Sequence, residues 1–129
     1  MAKSASDLVS EARDRVTTIP AKAAHDNHKS GKGVILDVRE PGELAASGTP
    51  QGAVHVPRGL LEFKADKGET GHPELKKACA DGHPVMVLCA SGGRATLAAS
   101  TLTDMGYDAQ VIEGGMQGWT NAGLEAVKA

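Results

Sequence analysis

The chain has 129 residues, of which 40% are hydrophobic and 23% charged, and its formal net charge is −2. This length and balance predict one globular domain that folds around its own core, without a metal or a disulfide to hold it together. The weak net charge and the scarcity of aromatic side chains argue against a nucleic-acid partner. No apolar stretch approaches the roughly 20 residues of a membrane-spanning helix, so we expect no membrane partner either.

Residues 1–16 are mostly polar, and their apolar positions have the weak periodicity of a peripheral helix. We expect this segment to be a helical extension in front of a domain that spans 17–129. The first residues lack the apolar core followed by a cleavage site that is typical of a secretory signal. The expected location is the cytoplasm.

From Thr17 onward, short β-branched runs alternate with helical stretches, which predicts an α/β domain with a largely parallel five-stranded sheet. The runs near Val34 and Val85 are continuously apolar, as expected of central strands that are covered on both faces. The five expected strands are 16–19, 34–38, 53–56, 85–88 and 109–112.

Helices are expected between these strands, on both faces of the sheet. Pro20 suits the start of one helix and Gly31 its end, and Pro73 and Gly82 repeat this arrangement. The segment 94–105 has the most regular apolar stripe, and a glycine follows it.

The strand that begins at Val85 runs into a thiol, a loop of small residues and the start of a helix. Ligands bind beyond the carboxyl ends of parallel strands, so Cys89 should lie at the mouth of a site. Inward-turned loop amides, the helix N-terminus and Arg94 would all favour a thiolate, which predicts a nucleophile. The loop residues are Ala90, Ser91, Gly92 and Gly93.

The alternative for Cys89 is an inert core thiol, the usual state of a free cysteine. The glycine pair and the arginine favour the reactive interpretation. Cys79 lies among Leu75 and Ala78 without such neighbours, and packing is its expected role. Neither cysteine nor histidine spacing is typical of a metal site, so no bound metal is expected.

Four segments in order resemble the rhodanese homology domain, over about nine-tenths of the chain. Asp37-Val-Arg39-Glu-Pro-Gly-Glu43 is similar to the turn after the family's second strand, and Gly52-Ala-Val-His-Val-Pro57 to the following segment. Cys89-Ala-Ser-Gly-Gly-Arg94 resembles the active-site loop, and Gly114-Gly-Met-Gln-Gly-Trp119 the C-terminal motif. Gly48-Thr49-Pro50 departs from the family, many members of which have Gly-His-Ile there.

The resemblance implies a sulfurtransferase without a cofactor. Cys89 would take a sulfane sulfur from thiosulfate or a persulfide, hold it as a persulfide, and pass it to cyanide, a thiol or a sulfur-accepting protein. The loop amides and Arg94 would hold the anionic donor. Arg58 is a further candidate for donor binding. Arg39 would belong to a structural turn, tied to the acids Asp37 and Glu43.

Two other functions remain open. Cysteine phosphatases also use a thiolate, an amide cradle and an arginine, but they place five residues between the cysteine and the arginine. Only four separate Cys89 from Arg94. A non-catalytic binding module is the third possibility, although such modules typically lack the nucleophile. His55 as a general base for Cys89 is disfavoured, because an amide nest makes a separate base unnecessary.

Overall fold

A computed structural model describes residues 2–128 of the chain. Its main sheet consists of five parallel strands, β1 (Thr17–Ile19), β2 (Val34–Asp37), β4 (Val54–His55), β5 (Val85–Leu88) and β6 (Ala109–Ile112). Their spatial order is β1-β6-β5-β2-β4. The α/β class and the parallel sheet are therefore confirmed, and the two strands expected to be central each have a neighbour on both sides.

The described residues form seven α-helices and one 3₁₀ turn, at Arg58–Leu60. The stripe expected at 94–105 is a helix shifted by one residue, because Gly93 already has helical geometry. The helices are α1 (Ala5–Arg13), α2 (Ala21–Lys29), α3 (Pro41–Ser47), α4 (Leu61–Ala65), α5 (Pro73–Ala80), α6 (Gly93–Asp104) and α7 (Gly115–Asn121).

Apolar side chains cover both faces of the sheet, as expected. On one face, residues such as Leu36 and Val87 pack against α4, α5 and α6. On the other, Ile35 and Met86 pack against α2 and α7, where Trp119 is the largest buried side chain. Alternate residues of β2 and β5 thus serve different layers, which fixes the register of both strands.

Several elements differ from the sequence expectations. Helix α3 replaces an expected turn. Pro41 suits its first position because proline has no amide hydrogen that would lack a partner there, and Glu43 caps the first turn. Helix α7 was also missed, since its glycines weaken the helical pattern. A short antiparallel pair, β3 (Thr49–Pro50) with β7 (Ala126–Val127), was not expected.

The N-terminal helix α1 packs against α6. Ala12 is buried in this contact, and the Arg15 guanidinium donates a 2.7 Å hydrogen bond to the Ser100 hydroxyl and pairs with Asp104. The described part of the N-terminal segment, residues 2–16, is thus joined to the helix that follows the Cys89 loop. Within residues 2–128, no helix has both the length and the apolar character to cross a bilayer.

Candidate active site

Cys89 directly follows β5, at the carboxyl edge of the sheet. The Val38 amide donates a 3.0 Å hydrogen bond to the Leu88 carbonyl, which joins the ends of β2 and β5. The sequence placed Cys89 at the mouth of a site, and here the expectation was wrong in detail. Cys89 is only 1% exposed and lies beneath its loop, because the backbone folds over the sulfur to direct amides at it.

Two backbone amides donate to Cys89 Sγ: that of Gly92 at 3.1 Å and that of Ala95 at 3.3 Å. Ala95 is the third residue of α6, whose amide is normally satisfied by a capping side chain. Gly92 supplies no such side chain, so the sulfur takes the place of the cap. Both donors, and the positive end of a 12-residue helix, stabilise negative charge on Sγ.

The amide cradle is therefore only partly the one expected from the sequence. Gly92 belongs to the predicted loop, whereas Ala95 was not predicted as a donor, although its place in the first turn of the expected helix was a usable signal. Gly92 adopts φ 129°, a conformation that side chains other than glycine rarely take. This backbone turn aims its amide at the sulfur.

Helix α7 docks directly on the backbone of the loop. The amide of Met116 donates to the Cys89 carbonyl at 2.7 Å, and that of Gln117 to the Ala90 carbonyl at 3.3 Å. A Cβ on Gly115 would lie 2.3 Å from the Cys89 carbonyl oxygen, so only glycine permits this approach. The Gly114-Gly115 pair was known only from the resemblance, and the structure gives its physical reason.

Arg94 forms a two-pronged ion pair with Glu43, with N–O distances of 2.7 and 2.8 Å. This pair, helped by the Glu40 amide, lowers the pKa of Glu43 to about 2. Arg94 was expected to face the donor anion and Glu43 to hold Arg39. Instead the two bond to each other and tie α3 to the N-terminus of α6.

Arg39 and Asp37 form a buried ion pair after β2. The Arg39 guanidinium donates to the Asp37 carboxylate at 2.8 Å, to the Ser47 hydroxyl at 2.8 Å and to the Gly48 carbonyl at 2.7 Å. Thr49, at the position where the sequence departs from the family, donates to Asp37 at 2.9 Å. The cluster is saturated by its own members, as suits a structural role.

Arg58 and His55 each bond to groups other than Cys89. Arg58 donates to Glu62 at 3.1 Å and to Thr101 at 3.2 Å. At 1.5 Å per residue, Thr101 lies about 12 Å along α6 from the start of the helix. Arg58 therefore does not lie at the loop, where a donor-binding residue was expected. The His55 ring bonds the Arg39 carbonyl at 2.7 Å.

A cavity of about 490 Å³ lies beside the loop, between α3 and α7. We call it the α3–α7 groove. Its surface is mostly apolar, with hydroxyl and amide side chains among it. Above the loop, a Cβ added to Gly92 or Gly93 would meet no atom within 4 Å. The lining residues are Arg39, Glu43, Ala46, Ser47, Ala90, Ser91, Met116, Gln117, Thr120 and Asn121.

The site thus combines a strand-end thiol, two converging amides and an adjacent groove. Within residues 2–128, no three His, Cys, Asp or Glu side chains come together as a metal site requires.

The rhodanese-like domain family matches residues 20–122. The chain belongs to this family.

Three similar proteins illustrate the family. A protein of unknown function and "possible tyrosine phosphatase" from Rhodopseudomonas palustris is 31% identical, with a TM-score of 0.87 over 98% of this chain and 96% of that one. The polysulfide-sulfur transferase homodimer of Wolinella succinogenes is 32% identical, with a TM-score of 0.70 over 92% of this chain and 83% of that one.

The third is the mitochondrial protein HIGH ARSENIC CONTENT 1 of Arabidopsis thaliana, 32% identical over 98 residues. The match covers 72% of this chain and 56% of the plant protein, so the chain spans about half the length of this curated relative. Family membership and a sulfurtransferase among the structural neighbours support a sulfurtransferase.

Proposed function

We propose that the protein transfers a sulfane sulfur from thiosulfate or a persulfide, through a Cys89 persulfide, to cyanide or a thiol. The observation that carries this proposal is the pair of amides donating to Cys89 Sγ. Such donors stabilise an anionic sulfur, both as the attacking thiolate and as the persulfide. A sulfur-accepting protein remains a candidate acceptor, and the cytoplasm the proposed location.

In the first half-reaction, the Cys89 thiolate attacks the outer sulfur of the donor. A new sulfur–sulfur bond forms, the donor's own bond breaks, and sulfite or a thiolate leaves with the electron pair. In the second, cyanide or a thiolate attacks the outer sulfur of the persulfide and regenerates the Cys89 thiolate. Because Cys89 is 1% exposed, only the small terminal sulfur of a donor reaches it, and the bulk of the donor stays outside the loop.

Thiocyanate formation tests this proposal. The protein is given thiosulfate or a persulfide together with cyanide, and thiocyanate is measured over time. Wild-type protein should turn over, Cys89→Ser should lose at least about 10³-fold in rate, and Cys79→Ser, the matched control, should retain the wild-type rate. Equal activity of the Cys89→Ser protein would overturn the proposal.

A phosphatase is the second candidate, because the similar protein from Rhodopseudomonas palustris is described as a possible tyrosine phosphatase. The loop argues against it: only four residues separate Cys89 from Arg94, and the Arg94 guanidinium is held by Glu43. We expect no hydrolysis of aryl phosphates. Hydrolysis that is lost in Cys89→Ser would favour the phosphatase instead.

A further inference from the structure

The positive charges beside the Cys89 loop are already neutralised. Arg94 is paired with Glu43 and Arg39 with Asp37, and Glu40 adds a further carboxylate close enough to act on Arg94. Three carboxylates thus face these two guanidinium groups. A highly charged anion gains no net attraction from this arrangement.

The lining of the α3–α7 groove likewise offers little positive charge to an anion. Arg39 is the only cationic residue among the lining residues that the structure describes, and it is 2% exposed. Ala46, Ala90 and Met116 supply apolar surface, while Gln117 adds an amide. A cavity of this size and lining suits a small organic molecule with polar groups better than an inorganic dianion.

We propose that Glu43 is a specificity-determining residue that holds Arg94 away from the donor, so that the loop favours an organic persulfide over thiosulfate. The organic part of the donor occupies the α3–α7 groove. This inference rests on the proposed sulfurtransferase function and names the donor class for the same site.

The charge balance of the two reactions explains the preference. With thiosulfate, a dianion meets the Cys89 thiolate, and the loop must accommodate three negative charges while sulfite leaves. An organic persulfide RSS⁻ brings one negative charge to the loop, on its reacting sulfur, because the rest of the donor stays outside; it gives a Cys89 persulfide anion and RS⁻. Each donor loses its sulfur–sulfur bond to the new one, and no oxidant or reductant is needed. Because Glu43 offsets the charge of Arg94, the donor that brings fewer negative charges to the loop is favoured.

The test compares the rates at which Cys89 gains sulfur from glutathione persulfide and from thiosulfate, measured by quenched intact-mass spectrometry. Wild-type protein should load faster from the persulfide. Glu43→Gln keeps the shape of the side chain but removes its charge, and should raise the thiosulfate rate about threefold to tenfold relative to the persulfide rate. Glu62→Gln, which breaks the Arg58–Glu62 pair, is the matched control and should leave the ratio unchanged.

The outcomes separate this inference from the proposed function. Loading from thiosulfate that is as fast as from the persulfide overturns the inference and leaves the function standing. An unchanged donor ratio in Glu43→Gln, or an equal fall for both donors, also overturns it, because Glu43 would then be only structural. Loading from neither donor overturns the sulfurtransferase itself.

A second pair of variants tests the groove independently of Glu43. Ala46 lines the groove, whereas Ala45 is exposed on the same helix and does not line it. Ala46→Trp should slow loading from glutathione persulfide at least about threefold more than loading from thiosulfate, and Ala45→Trp should change neither rate. Equal effects of the two variants would show that the organic part binds elsewhere and would overturn the assignment of the groove.

Discussion

The ends of β2 and β5 lie side by side at one edge of the sheet, yet they are built in opposite ways. After β2, the charges of Asp37 and Arg39 are buried and satisfied by neighbouring side chains and a carbonyl. After β5, the groups that face Cys89 Sγ are backbone amides. Side chains pair with one another at one strand end, whereas at the other the backbone donors favour negative charge on the sulfur.

Changes after β2 should therefore reduce the free energy of unfolding more than the rate of sulfur loading. Asp37→Asn leaves the Arg39 cation buried without its counter-charge, and should lower the free energy of unfolding by about 3–5 kcal/mol. The remaining folded protein should still load sulfur within a few-fold of the wild-type rate. Urea unfolding measures the first effect and intact mass the second. A stability loss below about 1 kcal/mol would contradict the role given to the ion pair.

Changes after β5 should affect both loading and local strain. Gly92→Ala places a side chain at φ 129°, and should cost about 1–3 kcal/mol in stability. The displaced amide should slow sulfur loading about tenfold, less than the loss of a complete oxyanion donor.

Gly93→Ala is the matched control for Gly92→Ala. A Cβ at either position meets no atom within 4 Å, but Gly93 has helical geometry. Its replacement should raise stability by about 0.5 kcal/mol, because the unfolded chain loses freedom. Equal destabilisation by both variants, seen in thermal unfolding, would show that the conformation of Gly92 is not the cause.

The smallest predicted effect concerns the Glu43–Arg94 pair, which joins the two regions. The pKa of Glu43 is lowered from 4.5 to about 2, so its contribution to stability is present above pH 4.5 and is lost as the pH falls towards 2. Glu43→Gln should therefore flatten the fall in unfolding free energy over this window. Parallel curves for the two proteins would contradict this assignment. Above pH 5 the pair stays ionised.

The sequence predicts the sheet well because its signals are local. Continuous apolar runs at β2 and β5 identify central strands, and the stripe of α6 identifies the helix behind the loop. Helices α3 and α7 escape prediction, since Pro41 and the glycines of α7 indicate turns when read alone. Their stability comes from contacts with distant segments, which no local pattern encodes.

The same limit applies to the site. The thiol and its small-residue loop were visible at Cys89, because strand, loop and helix are contiguous. The sequence does not predict the partner of Arg94, since Glu43 lies 51 positions away in the chain and the family resemblance implied that Glu43 bonds to Arg39. For Arg58 the local signal misleads. Its position just after a strand predicted a donor-binding role at the loop, but its side chain pairs with Glu62 instead.

The most direct test of the central claim locates the transferred sulfur. The protein is incubated with glutathione persulfide and digested without reductant, and fragmentation assigns the added mass to one of its two cysteines. We expect one extra sulfur on Cys89, none on Cys79, and removal of that sulfur by cyanide. An unmodified Cys89 after treatment with persulfide, polysulfide and thiosulfate, or a sulfur carried only by Cys79, would contradict it.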